Sequence, residues 1–393
     1  MADGDPRRQS GILSRRRLCG LGLALLLGAC STVVPRSAPP PVTAGKPVEK
    51  PAPQTGLPDD KERHRVALLV PLSGPNAAVG QSIADAAALA LADTGSRQLR
   101  ITNYDTAQGA EAAARKALAE GNGLFLGPLL SDDVRAIVAP AGAAGVPIIS
   151  FSNDPAAAGD GVWLLGFSPA QSIDRVVRYA KSRGMTRFAG LIPPGLYGRN
   201  ASNMLIRAAE AAGGTVVAMQ SYQRTPASIA AAIGKMSKEK YDAVLIADSG
   251  RIAITAAPAI RRSGGAGVRI LGTELWNAEP GLNNSPVLAG AWFASVDDSM
   301  FAQFTTRYRA RYGRTPYRLA SLGYDAVLLT VRIAKDWKLG RRFPADALAD
   351  EGGFAGVDGA FRFAHGHIAE RALAVHQLAP KGGTIVSPAP KGF

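Results

Sequence analysis

The stretch Val66-Ala67-Leu68-Leu69-Val70-Pro71-Leu72-Ser73-Gly74 decides the fold of this 393-residue chain. Its first five residues are all apolar, and a run of this length before a Pro/Gly loop is typical of a strand buried on both faces. Residues 81–93 follow the loop and carry apolar side chains at helical spacing. A buried strand followed by a helix is the repeating unit of an α/β fold with parallel strands.

The same unit recurs along the chain. We predict further strands at residues 99–104, 124–126, 146–149, 187–192, 215–218, 243–247 and 269–271. Between them we predict helices at residues 110–120, 131–141, 170–183, 198–212, 228–236 and 251–262. Because these strands are too many for one compact sheet, we expect an α/β fold with two lobes. Two later helices, 300–312 and 319–337, break the alternation, as expected when the chain returns to its first lobe.

The N-terminus is typical of an export signal. Arg15-Arg16-Arg17 precede an uncharged run that ends in Leu27-Gly28-Ala29-Cys30 and is too short to span a bilayer, which needs about 20 residues. This ending resembles the bacterial lipobox, which implies that residues 1–29 are removed and that Cys30 is acylated. Since Ser31 follows instead of the retention signal Asp, the resemblance implies the periplasmic side of the outer membrane, with inner-membrane anchoring as the alternative. An uncleaved N-terminal segment is the other interpretation.

Residues 31–64 are predicted to be a linker, because eight prolines between Pro35 and Pro58 oppose helix and sheet. As an extended chain at about 3.1 Å per residue, this linker would span on the order of 100 Å. Such a length would let a globular body work far from the membrane that holds it.

The composition indicates which classes of protein this chain does not resemble. The chain has a formal net charge of +14 and 2 cysteines, of which Cys19 lies inside the predicted signal and Cys30 lies at its end. We therefore expect a mature fold without disulfides, held by burial alone, in an oxidising compartment. The basic residues are scattered and lack interleaved aromatic residues, so we expect no nucleic-acid partner and favour a solvated basic surface.

Several motifs in a fixed order carry a resemblance to a known family. After the opening strand come Gly80-Gln81-Ser82, then the segments 127–131, 144–150, 196–199 and 271–274. Over residues 65–377 the chain resembles type I periplasmic binding proteins of the leucine/isoleucine/valine-binding branch. Within that family, the segments 71–74, 127–130 and 151–154 look closest to the lipoproteins called penicillin-binding-protein activators.

The resemblance implies a fold and a set of boundaries. The family has two Rossmann-like lobes with parallel sheets, joined by a three-strand hinge and closing on a ligand. For this chain it implies lobe 1 at residues 65–167, lobe 2 at 168–292, a return to lobe 1 at 293–354, and a final crossover and tail at 355–393. The hinge is expected near Phe167, Phe293 and Phe354.

Six residues match ligand-binding positions of the family. Ser131, Ser150, Ser152 and Asp154 lie in the first lobe's loops, where a carboxylate would be held. Tyr197 would form an aromatic wall, and Glu274 would hold an amino group.

The residues themselves leave simpler interpretations open. Ser131 could be a plain helix cap with no contact to a ligand. Ser152 and Asp154 could stabilise an ordinary turn. Tyr197 could be a half-buried plug, and Glu274 could be solvated. The chain also departs from the family pattern, since no tyrosine lies around residues 248–250 and the loop at 129–130 is Leu-Leu. The ligand could therefore differ from a branched-chain amino acid, or the pocket could bind none.

Catalytic patterns are not found in the sequence. It has no Gly-x-Ser-x-Gly, His-Glu-x-x-His or phosphate-binding loop, and acylation would remove Cys30 as a nucleophile. His365 and His367 alternate as metal ligands might, but no third ligand lies nearby in sequence. We therefore expect a protein that is not an enzyme and has no cofactor and no metal.

Two functions follow from the resemblance. The favoured hypothesis is a lipid-anchored activator of peptidoglycan synthesis, whose partner is a penicillin-binding protein. The alternative is the substrate-binding receptor of an ABC importer for branched-chain or other amino acids or amides. Both involve the membrane only through the lipid anchor.

Overall fold

A computed structural model describes residues 62–390, except 160, 265–266, 280, 297, 364–365 and 381–382. The predicted signal, the predicted acylation site Cys30 and almost all of the proline-rich linker lie outside the described residues. In the part of the chain that is described, no helix is both long enough and apolar enough to cross a membrane.

The first lobe is built on a sheet of five parallel strands in the order β2-β1-β3-β4-β5. These strands are β1 (His64–Val70), β2 (Leu99–Asp105), β3 (Leu124–Leu126), β4 (Ile148–Ser150) and β5 (Val162–Leu164). Helices α1 (Ala77–Thr94), α2 (Ala110–Ala119) and α3 (Ser131–Ala144) connect them. Because helices cover both faces, all residues from Val66 to Val70 are fully buried, as their apolar run predicts.

The second lobe is built on seven strands in the order β15-β14-β10-β9-β8-β6-β7. Its parallel strands are β6 (Arg187–Ile192), β7 (Thr215–Ser221), β8 (Ala243–Ile246), β9 (Arg269–Gly272) and β10 (Trp292–Ser295). Helices α4 (Pro169–Ser182), α5 (Gly195–Ala211), α6 (Pro226–Met236) and α7 (Gly250–Gly264) cover its two faces. The two-lobed α/β fold with parallel sheets is thus confirmed.

The C-terminal third of the chain was the least predictable. Helices α8 (Ser299–Tyr312) and α9 (Ala320–Ala334) pack on α1 of the first lobe, as the break in the alternation suggested. A small antiparallel sheet then joins the same core, with strands β11 (Phe354–Gly356), β12 (Gly359–Phe363) and β13 (Ala369–Arg371). The last strands, β14 (Ala374–Gln377) and β15 (Thr384–Ser387), add antiparallel to the second lobe's sheet.

Three connections join the lobes. The first runs from β5 to α4 and contains Phe167, where a crossing was expected. The second leaves the end of β10, a few residues beyond Phe293, and leads into α8. The third was expected near Phe354, but the structure places that residue in β11, with its ring 5.7 Å from the ring of Phe361 in the first lobe's core. The chain instead crosses between Arg371 and Ala374.

Candidate functional site

A cavity of about 860 Å³ lies between the two lobes. Most of the lining residues belong to loops and helices of the first lobe. The second lobe and the connections between the lobes contribute the others. The wall is mainly apolar and includes Val79, Leu129, Leu130, Phe151, Phe167, Leu275, Val296, Pro316, Tyr317, Leu319 and Leu373. A volume of this size falls in the range of small-molecule sites, roughly 300–1,000 Å³.

The strand ends position this wall. Leu129 and Leu130 follow β3, Phe151 follows β4, and Glu274 follows β9. Because the strands of each lobe run parallel, their carboxyl ends meet at one edge, which is where open α/β sheets bind ligands. The cavity therefore occupies the place that the strand order predicts.

Tertiary structure adds one segment that sequence reasoning missed. Residues 315–319, in the connection between α8 and α9, line the first lobe's side of the cavity. No motif marked this connection, and its position follows only from the packing of α8 and α9 on α1.

Glu274 and Tyr197 lie together in the second lobe. The Tyr197 hydroxyl lies 3.0 Å from Oε1 of Glu274, to which it donates, and 3.1 Å from Oγ1 of Thr273. The Ser172 hydroxyl donates to the other carboxylate oxygen, Oε2. Glu274 itself lines the cavity, whereas Tyr197 supports it from behind. Glu274 is therefore held in place by two hydroxyl donors, rather than being freely solvated.

Burial controls the protonation of this pair. Burial raises the pKa of the Glu274 carboxyl, while hydrogen bonds from Ser172, the backbone and Tyr197 limit the rise. Burial and the negative charge of Glu274 raise the pKa of the Tyr197 phenol well above its ordinary value. Tyr197 is therefore a neutral donor, and a carboxylate at Glu274 offers its remaining acceptor capacity toward the cavity.

The four predicted residues of the first lobe do not line the described cavity wall. Ser131 is the first residue of α3, but Leu130 occupies the N-cap position and no side chain caps the helix there. The Oγ of Ser131 lies at 3.5 Å from Nη1 of Arg135. The helix cap that the sequence left open as the simpler role of Ser131 is therefore not formed.

Ser150, Ser152 and Asp154 form a buried chain of hydrogen bonds. The Ser150 hydroxyl donates to the Pro128 carbonyl at 3.0 Å and accepts from the Ser152 amide at 3.0 Å. The Ser152 hydroxyl accepts from the Asp154 amide at 3.2 Å. Asp154 caps the short helix Pro155–Ala157 and pairs with Arg135 at 2.5 Å. These contacts are those of turn chemistry, the simpler interpretation that the sequence left open for Ser152 and Asp154.

A buried cluster of charges lies beside the cavity at the third connection. Arg318, which lines the cavity, is 2.5 Å from Oδ1 of the fully buried Asp358. Asp325 is also fully buried and accepts a hydrogen bond from the Val357 amide at 2.7 Å. Burial and repulsion from Asp358 raise the pKa of Asp325 to about 7, and Arg371 opposes this rise. None of these residues was singled out from the sequence, because their pairing depends on distant segments.

The described residues contain no group of three or more His, Cys, Asp or Glu side chains that could hold a metal ion. His367 stacks on Trp163, with ring centroids 4.0 Å apart. His365 lies outside the described residues.

Two α/β lobes with a cavity at their facing strand ends form a bilobed, clamp-like architecture. The chain belongs to the periplasmic binding protein family, of type I: the family model described as periplasmic binding protein matches residues 64–384. Among curated proteins it is similar to an uncharacterized protein of Rickettsia prowazekii, with 28% identity over 180 residues, or 45% of this chain. The chain spans about half, 48%, of that relative's length.

Solved structures share the fold. An ABC transporter substrate-binding protein from Sphaerobacter thermophilus is 19% identical, with TM-score 0.70, over 84% of this chain and 98% of that one. A branched-chain amino acid transporter substrate-binding protein from Streptococcus pneumoniae, solved with isoleucine, is 22% identical, with TM-score 0.62, over 83% and 100%. A solute-binding protein from R. palustris, solved with benzoate, is 19% identical, with TM-score 0.62, over 84% and 97%. All three are described as solute- or substrate-binding proteins.

Proposed function

We propose that the protein is the extracytoplasmic substrate-binding receptor of an ABC importer, and that the cavity between its lobes takes a small molecule with an apolar body. The observation that carries this proposal is the mainly apolar cavity with the carboxyl group of Glu274 in its wall. The similarity to substrate-binding proteins supports it, and so favours the alternative of the sequence analysis over the activator.

The wall suggests the chemistry of the ligand. Its apolar side chains suit an aliphatic or aromatic body, since burial of apolar surface is favourable by about 25 cal/mol per Å². Glu274 suits an amino group or another hydrogen-bond donor. The ligands of two relatives, isoleucine and benzoate, both carry an apolar body and a carboxyl group, but only isoleucine has an amino group. This difference allows the role of Glu274 to be tested directly.

The experiment measures binding of leucine, isoleucine and benzoate to the full chain by calorimetry and by thermal shift. A ligand at a hundredfold excess over its dissociation constant should add about 2.7 kcal/mol to the free energy of unfolding. Glu274→Gln should weaken amino-acid binding at least tenfold, as expected for loss of an interaction worth about 1.4 kcal/mol or more, and leave benzoate binding unchanged.

A matched control is Glu279→Gln, five residues further along. Glu279 lies 4.0 Å from Arg251 and does not line the described cavity wall. This variant should bind every ligand as the parent does. If no amino acid, aromatic acid or fractionated metabolite raises the melting temperature, the receptor proposal fails.

The second candidate is the activator of a penicillin-binding protein. One observation favours it: the four predicted residues of the first lobe, Ser131, Ser150, Ser152 and Asp154, do not line the described cavity wall. An incomplete amino-acid site would suit a body that contacts a protein partner instead. Acylation of Cys30 and the linker would give it reach from the outer membrane.

Two measurements test this candidate. The chain should co-purify with a penicillin-binding protein and accelerate glycan polymerisation in a reconstituted assay. Mass spectrometry of the membrane fraction should find an acylated Cys30, and membrane separation should place it in the outer membrane. A receptor would instead co-purify with a permease of the inner membrane and leave polymerisation unchanged.

A further inference from the structure

The loop after α9 combines positive charge with an exposed apolar side chain. Its residues run Lys335-Asp336-Trp337-Lys338-Leu339-Gly340-Arg341-Arg342, and we call it the basic loop. Its four basic side chains are exposed, and the Leu339 side chain is 53% exposed. Four cations against one anion, Asp336, in eight residues make this a locally positive surface.

The cations of the basic loop are available for an external partner. In the described part of the chain, no ion pair joins an acidic side chain to Lys335, Lys338, Arg341 or Arg342. Other arginines of the first lobe do have acidic partners, such as Arg332 with Asp350 at 2.5 Å.

Trp337 fixes the loop to the start of the folded body. Its buried ring stacks on the ring of His64 at 3.8 Å, and its carbonyl accepts a hydrogen bond from Nε2 of His64 at 2.8 Å. His64 is the first residue of β1, so the basic loop lies where residues 1–61 lead into the body. The cavity lies at the opposite, carboxyl ends of the strands, which leaves it open when the loop is engaged.

We propose that the basic loop docks on a membrane surface of anionic phospholipid, with its cations at the head groups and Leu339 at the head-group/acyl boundary. The charge suits such a surface, and Leu339 would bury apolar area there. The sequence predicts acylation at Cys30, in the segment that precedes β1, and the basic loop lies beside the first residue of β1. An acyl anchor at Cys30 and the basic loop would then act on the same membrane.

The test uses the full chain with Cys30→Ser, so that no acyl group contributes. Binding is measured by vesicle sedimentation, on phosphatidylcholine alone and on an equal mixture of phosphatidylcholine and phosphatidylglycerol. The parent should bind the anionic vesicles, and the binding should weaken with added salt. Lys335→Glu/Lys338→Glu should weaken it by about tenfold or more, and Leu339→Ser by a smaller factor.

The matched control is Lys235→Glu/Lys238→Glu. These lysines have the same spacing and are also exposed; Lys235 lies in the last turn of α6 and Lys238 lies just beyond it, in the second lobe. The substitutions change the net charge by the same amount. The control should bind as the parent does. Equal loss in both double variants, or equal binding to neutral vesicles, would overturn the proposal. So would binding to a soluble acidic polymer such as heparin without binding to the vesicles.

Discussion

The hydroxyl of Tyr197 donates to Oε1 of Glu274 at 3.0 Å, across 77 residues of sequence. The resemblance assigned these residues two separate contacts with a ligand. In the structure, Tyr197 instead orients the carboxyl group that lines the cavity, together with Ser172. Tyr197 is therefore a positioning residue, and Glu274 is the group that a ligand would meet.

Tyr197→Phe should lower the free energy of unfolding by about 1–2 kcal/mol, because it removes a hydrogen bond to a buried acidic group and keeps the ring. It should also raise the pKa of Glu274 further, since this bond lowers it. Urea unfolding measures the first effect, and the pH dependence of ligand affinity measures the second. Tyr317→Phe, at a ring that is 50% exposed, is the control and should leave stability unchanged. Equal stability of Tyr197→Phe and the parent would contradict this account.

Arg318→Ala should destabilise the protein by about 3–5 kcal/mol, because it leaves the fully buried Asp358 without its close cation. Urea unfolding provides the measurement. The double variant Arg318→Met/Asp358→Leu should cost less than Arg318→Ala alone, since it removes both charges and keeps apolar volume. If the double variant lost as much stability as the single variants Arg318→Met and Asp358→Leu added together, the two side chains would not interact directly.

Asp325→Asn should change how stability depends on pH. The pKa of Asp325 is raised from 3.8 to about 7 in the folded protein, so between these pH values the folded state holds a proton that the unfolded state has lost. The contribution of this group to the free energy of unfolding therefore falls as pH rises through that window. The Asn variant, which can still accept the Val357 hydrogen bond, should lose this slope.

Urea unfolding at several pH values across this window, for the parent and the variant, tests the prediction. Asp242→Asn is a useful comparison, because hydrogen bonds lower the pKa of Asp242 in the folded protein. The contribution of Asp242 to the free energy of unfolding therefore rises with pH, and the Asn variant should lose that rise. If the parent and Asp325→Asn have parallel profiles, Asp325 does not hold a proton in the folded state.

Gly80→Ala should destabilise the first lobe strongly. A Cβ atom at Gly80 would lie 1.9 Å from the carbonyl oxygen of Pro71, so α1 would have to move from the loop after β1. Gly142→Ala, also within a helix but with nothing within 4 Å of its Cβ position, should instead stabilise the protein by about 0.5–1 kcal/mol. Thermal unfolding of both variants gives the comparison. Similar melting temperatures would show that the close approach at Gly80 carries no cost.

The regular elements were predictable from local pattern. The prediction at residues 187–192 coincides with β6, and residues 124–126 coincide with β3. By contrast, β5 and β10 went unnoticed, because three or four apolar residues between loops do not define a period. The small antiparallel sheet and the third connection were also missed. An apolar residue such as Phe354 can lie in a hinge or in a core, and its sequence neighbours do not distinguish the two positions.

The sequence by itself determined the alternation of buried strands and helices, and hence the two-lobed α/β class, because burial and periodicity are written into neighbouring residues. Through the motif of residues 271–274, the sequence also identified Glu274 as a candidate ligand-binding residue. Only the tertiary structure decided that Asp154 pairs with Arg135, that Arg318 meets Asp358, and that residues 315–319 line the cavity. Such partners lie on different elements, and their meeting depends on how whole helices and sheets pack, which no local pattern records.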